Sequence, residues 1–115
     1  MIRRNHEMAV DEKFELLGGE GTVEMKHIYK ADELKAKTRI CCEVTVPAHC
    51  SIGAHVHDGE EEVYYITKGV ATVNDNGEEK MLSVGDAMLT GDGAFHAISN
   101  NTDEEMQFIA MVVVY

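Results

Sequence analysis

The chain has 115 residues, 44% of them hydrophobic, and a formal net charge of −11. That length is one domain with a single core, too apolar for a disordered polymer. The acidic balance argues against a nucleic-acid backbone or an anionic membrane surface as partner, and no run approaches the ~18 apolar residues of a membrane span.

In chain order, residues 1–21 read as an N-terminal arm. Arg3 and Arg4 have no apolar segment behind them, so no signal peptide is expected. Phe14, Leu16 and Leu17 precede a Gly18-Gly19-Glu20-Gly21 break, and such an arm suits packing on a neighbouring subunit. The remaining residues, 22–115, form one domain. Thr22 to Tyr29 alternates, with Val23, Met25, His27 and Tyr29 on one face, which predicts a strand. His27 reads as a partly exposed strand histidine. Ala31 to Lys37 is a connector with one helical turn. Arg39 to Val46 predicts a strand that Pro47 ends. Arg39 is a substrate-binding candidate if its face meets a cavity.

Cys41, Cys42 and Cys50 are odd in number and two are adjacent, so no disulfide framework is expected. They read as small buried hydrophobes in a reducing cytoplasm.

Side chains on a strand alternate faces, so His55 and His57 point the same way and can lean onto one ion. Asp58-Gly59 is a turn signal, and a hairpin there would return Glu62 beside the two histidines. Glu62, Tyr64 and Ile66 share one face. Glu60 and Glu61 read as turn charges. Val70 to Asn74 and Lys80 to Val84 predict strands around an Asp75-Asn76-Gly77 turn. Ala87 to Thr90 and Phe95 to Ser99 predict two more, the latter bringing a third histidine, His96. Three imidazoles and a carboxylate suit a divalent transition metal without thiolate. Met88, Phe95 and Ile98 are candidates for the apolar wall of a pocket. Met106 to Tyr115 is apolar nearly throughout, which suits a strand buried on both faces or an edge covered by a second subunit, and a homodimer is expected. Many short strands with Gly and Asn turns point to an all-β barrel or sandwich.

Two motifs carry a family resemblance. His55-x-His57, four residues, Glu62, six residues, Gly69 resembles the first cupin motif. Gly85, five residues, Gly91-x-Gly93, two residues, His96, three residues, Asn100 is similar to the second. His49 stands where the first motif has Gly, and Gly91 where the second has Pro. The resemblance implies a double-stranded β-helix, the cupin jelly-roll barrel, as a single cupin domain. It implies His55, His57, Glu62 and His96 as metal ligands, with Fe(II) or Mn(II) plausible and Ni(II) or Zn(II) open. The implied function is that of a mononuclear divalent-metal enzyme on a small polar molecule, of dioxygenase, isomerase or lyase type. The alternative is a non-catalytic module that binds or senses a small ligand. Tyr64 is the catalytic candidate, as acid, base or hydrogen-bond donor near the metal.

Overall fold

The computed structural model describes residues 1–115. Ten antiparallel strands form two sheets. The strands are β1 (Val10–Phe14), β2 (Thr22–His27), β3 (Thr38–Val46), β4 (Ser51–Val56), β5 (Glu60–Lys68), β6 (Ala71–Asp75), β7 (Glu78–Leu82), β8 (Ala87–Thr90), β9 (Phe95–Ser99) and β10 (Met106–Val114). One sheet has the order β1-β2-β3-β10-β5-β8 and the other β4-β9-β6-β7. From β3 to β6 the chain changes sheet at each connection, as it does again on each side of β9. This is the double-stranded β-helix expected from the motifs.

The period-two patterns bury one face of each strand between the sheets. Val23 on β2, Val44 on β3, Ile52 on β4, Ile66 on β5, Ile98 on β9 and Phe108 on β10 belong to one core cluster. Asn100 is fully buried, and its amide donates to the carbonyls of Val46 (2.9 Å) and Glu104 (2.7 Å), tying β9's end to β3. A buried amide so paired specifies geometry at little cost.

Several expectations need correction. The turn at Asp58-Gly59 does not close a hairpin: β4 and β5 lie in opposite sheets, and the turn carries the chain across the barrel. The tight turn at Asn76-Gly77, where both residues take positive φ (49° and 103°), lets pairing resume at once, Asp75 opposite Glu78. The return strand therefore ends at Leu82, earlier than the pattern suggested. β10 is neither an edge nor buried on both faces. It is a central strand between β3 and β5, with Phe108 and Val112 fully buried on its inner face and Met111 39% exposed on its outer face. Only Cys42 is fully buried; Cys41 and Cys50 are half-buried, and all three thiols are free. Burial pushes the Cys42 thiol up to about 11, although neighbouring backbone opposes the rise.

The first 21 residues contribute a strand that the sequence did not reveal. β1, Val-Asp-Glu-Lys-Phe, is exposed throughout, so it has no apolar face to signal it. It pairs in register with β2, from Val10–Lys26 to Phe14–Thr22. The segment after it, Leu16–Gly18, is a 3₁₀ turn, and Leu17 within it has φ of +54°. It lies tight against β4. A Cβ on Gly53 would sit 2.0 Å from the Leu17 carbonyl oxygen, and one on Gly19 2.1 Å from that of Ser51. Glycine at both positions is what allows this turn to lie close against β4, with Leu16 packed on the core and Leu17 half-exposed at its rim. His27 is the half-buried strand histidine expected, with Nε2 2.7 Å from Asp11 Oδ2 and Nδ1 3.3 Å from Cys42 Sγ.

Candidate metal centre

His55 lies on β4 directly opposite His96 on β9. A bulge between Ile52 and His55 in that pairing re-aims the strand before the first histidine. His57 follows the end of β4 and is held by backbone bonds to the Gly91–Gly93 turn region: its N–H donates to Ala94 O (3.0 Å), and Gly93 N–H donates to its carbonyl (2.9 Å). Glu62 arrives from β5 in the other sheet. His57, Glu62 and His96 are buried, and His55 is half-buried.

The four ligand atoms lie within 4.8 Å of one another. His57 Nε2 and His55 Nε2 are each 3.0 Å from His96 Nε2. Glu62 Oε1 is 3.0 Å from His57 Nε2, 3.0 Å from His96 Nε2 and 3.9 Å from His55 Nε2. The far nitrogens are all engaged. His55 Nδ1–H donates to Gly53 O (2.7 Å), His57 Nδ1–H to Glu60 Oε2 (3.1 Å), and His96 Nδ1 is 2.8 Å from Thr90 Oγ1. Such outer hydrogen bonds set the tautomer that turns Nε2 lone pairs inward. Glu62 Oε1 is buried without a hydrogen-bond partner. A buried orphan oxygen facing three imidazole lone pairs is a costly arrangement, and a cation at their centre resolves it. The donor set therefore fits a divalent transition metal.

Burial works to raise the Glu62 carboxyl, but the surrounding imidazoles outweigh it and hold the group at about 2. Burial works to lower His55, and Glu62 with the Gly53 carbonyl overcomes it, so His55 is raised. For His96 burial wins and the imidazole is lowered. Tyr64 is stacked on His96 with ring centroids 4.7 Å apart. Burial, then the Glu62 charge, pushes its phenol well above the usual range, so it keeps its proton.

A cavity of about 220 Å³ opens beside this cluster. Of the expected pocket residues, Arg39 and Tyr64 line it, together with His55, His57 and Glu62. Met88 is a core residue outside its wall, as is Ile98; Phe95 is half-buried on β9 and also outside it. Leu16, Leu17, Met25, Ile40, Val44, Ile52, Phe108 and Ala110 supply the apolar wall. None of them was singled out as a pocket residue from sequence. Met25 shares its face with Val23 by parity, but which inward positions meet open space depends on packing. Glu60 was read as a turn charge, yet it bonds His57 and Arg39; Glu61 is exposed as expected.

His49, the departure from the first motif, has φ of +59°, the left-handed conformation that glycine adopts freely. The fold is kept there at the expense of local strain, of order 1–3 kcal/mol.

Residues 42–114 match the family described as Cupin domain. The chain belongs to the cupin family. It is 32% identical over 114 residues to a protein of Thermotoga maritima named oxalate-binding protein, across 99% of this cupin and 94% of that protein. The crystal structure of a predicted oxalate decarboxylase from Thermotoga maritima superposes with a TM-score of 0.95 at 31% identity, covering all of both chains. The cupin domain of an XRE family transcriptional regulator from Enterobacter cloacae gives a TM-score of 0.68 at 14% identity, over 94% of this chain and 97% of that one. The last likeness shows the fold alone.

Proposed function

We propose that this cupin binds one divalent transition metal through His55, His57, Glu62 and His96 and uses it to capture a small oxygen-rich anion. The observation that carries this reading is the convergence of four lone-pair atoms within 4.8 Å, three of them from residues on the wall of a 220 Å³ cavity and the fourth from His96 behind it. The resemblance to cupins makes Fe(II) and Mn(II) the first metals to test, and the donor set of three imidazoles and one carboxylate accepts Ni(II) and Zn(II) as well. When bound, the ion supplies Lewis-acid polarisation and coordination positions for a ligand. Arg39, half-exposed, supplies a second positive group at the same cavity. The relative named for oxalate binding makes oxalate the first probe.

Capture without turnover is the reading that the cavity residues support best. Apart from the ligands, the polar side chains on its wall are Arg39 and Tyr64. Neither moves a proton readily near neutral pH: a guanidinium stays charged, and the phenol is held protonated. A second reading, an enzyme of dioxygenase, isomerase or lyase type, rests on Tyr64 as a hydrogen-bond donor beside the metal. Isothermal titration of the Mn(II)-loaded protein with oxalate separates these readings from failure. Binding with no product on prolonged incubation supports capture, product formation supports the enzyme, and no heat in loaded protein at millimolar oxalate rejects oxalate as ligand.

The proposed compartment is the reducing cytoplasm, in keeping with three free thiols. The proposed protein partner is a second copy. On the outer face of the larger sheet, Leu89, Val63, Met111 and Cys41 lie side by side across four strands, and Ala87, Tyr65, Ile109 and Glu43 form the adjacent row. The one charge in these rows, Glu43, is neutralised by Lys26 at 3.1 Å. A second molecule of charge −11 meets little repulsion on such a face. Light scattering after gel filtration is expected to give a dimer mass, and Met111→Lys a monomer mass. A monomeric wild type would reject this partner.

A further inference from the structure

Glu60 sits at the start of β5 with its side chain 19% exposed, two residues before the ligand Glu62. A single oxygen, Oε2, accepts from two donors: His57 Nδ1–H at 3.1 Å and Arg39 Nη2–H at 2.7 Å. Arg39 makes no other side-chain hydrogen bond, and it lines the cavity that the metal ligands border. One carboxylate oxygen therefore joins a metal ligand to the cation at the cavity wall.

We propose that Glu60 is a positioning residue that couples metal binding at His57 to anion binding at Arg39 through this shared oxygen. The inference rests on the metal-centre reading above. A carboxylate behind a ligating imidazole fixes its tautomer and strengthens its donation to the ion. Arg39 competes for that oxygen and weakens the effect. An anion entering the cavity draws the guanidinium off Oε2, and the whole acceptor then serves His57. By reciprocity of linked equilibria, a bound metal makes Arg39 easier to draw away, so metal and anion favour each other beyond any direct contact between them.

The test uses Mn(II) alone, titrated into metal-free full-length protein by calorimetry, with no anion ligand present. Glu60→Gln keeps the shape of the side chain and removes its charge. It is expected to weaken the Mn(II) Kd by about 10–100-fold. Arg39→Gln is expected to tighten it by about 3–10-fold in the wild-type background, and by less than about twofold when Glu60→Gln is already present. An Arg39 that acts only by repelling the ion would shift the Kd equally in both backgrounds, which would overturn the proposal. So would a wild-type Kd in Glu60→Gln. Circular dichroism checks the fold of each variant. If Glu60→Gln does not fold, Arg39→Gln decides through its salt dependence: a tightening that persists at about 1 M salt, where through-space repulsion from the half-exposed guanidinium is screened, upholds the coupling, and one that salt abolishes, or an unchanged Kd, overturns it. Absence of Mn(II) binding in the wild-type protein is a different outcome, which removes the metal-centre reading itself.

Discussion

His96→Ala is expected to abolish stoichiometric metal binding, with a loss in Mn(II) affinity beyond about 100-fold. The outer-shell partners of a ligand are worth roughly 10–100-fold, and removing the ligand itself costs more. His96 is the centre of the set: its Nε2 is 3.0 Å from each of His55 Nε2, His57 Nε2 and Glu62 Oε1. Its substitution leaves three donors and takes the partner from Thr90 Oγ1. His57→Ala should act in the same way, because it also leaves three ligands. Metal content by plasma mass spectrometry, on protein purified without chelator, gives the occupancy directly. Thermal denaturation gives an independent reading. A ligand that binds only the folded state stabilises it by about 4 kcal/mol at a thousand times its Kd. Saturating Mn(II) should therefore raise the Tm of the wild type and leave that of His96→Ala where it was. Stoichiometric metal in His96→Ala would remove this residue from the site.

Phe108→Ala should cost about 3–5 kcal/mol of stability, a large part of the roughly 5–15 kcal/mol that holds a domain of this kind together. Phe108 is fully buried on the central strand β10 and lines the cavity. Its ring packs on Tyr64 at 4.4 Å between centroids, and Tyr64 in turn stacks on His96 at 4.7 Å. Aromatic contacts of this kind add about 0.5–1.5 kcal/mol to the area they bury. The truncation thus removes the support of the metal ligand from behind as well as core volume. Urea denaturation of metal-free protein measures the first effect, and Mn(II) affinity of the folded fraction the second. Phe14→Ala is the control: that side chain is 72% exposed on β1, and a change within about 0.5 kcal/mol is expected. Equal losses in the two variants would mean that burial in the barrel is not what stabilises Phe108.

The clustering of these four residues was legible because its signal is local. His-x-His on one strand face, the parity of Glu62 with Tyr64, and the spacing to His96 all follow from period-two geometry and short turns. The barrel was legible for the same reason, through alternating strands and Gly or Asn turns. The sheet to which each strand belongs was not. Asp58-Gly59 looks like a hairpin turn, and local sequence is the same whether the chain folds back on its neighbour or crosses to the opposite sheet. β1 was missed because its backbone pairing on β2 needs no apolar side chain.

What the amino-acid sequence determined by itself is the chemistry: which side chains alternate inward, which turns glycine permits, and which four groups can hold a metal. What only the tertiary structure decided is who meets whom across the barrel. Leu16 and Leu17 reach the cavity only because Gly19 and Gly53 let two backbones touch. Met88 and Phe95, as apolar as the residues that line it, fall outside. Glu60, indistinguishable in sequence from Glu61 beside it, becomes the partner of His57 and Arg39 because strand parity and the crossover turn it inward. Hydrophobic periodicity assigns a residue to a face, but the packing of two sheets assigns its neighbours, and a site is made of neighbours.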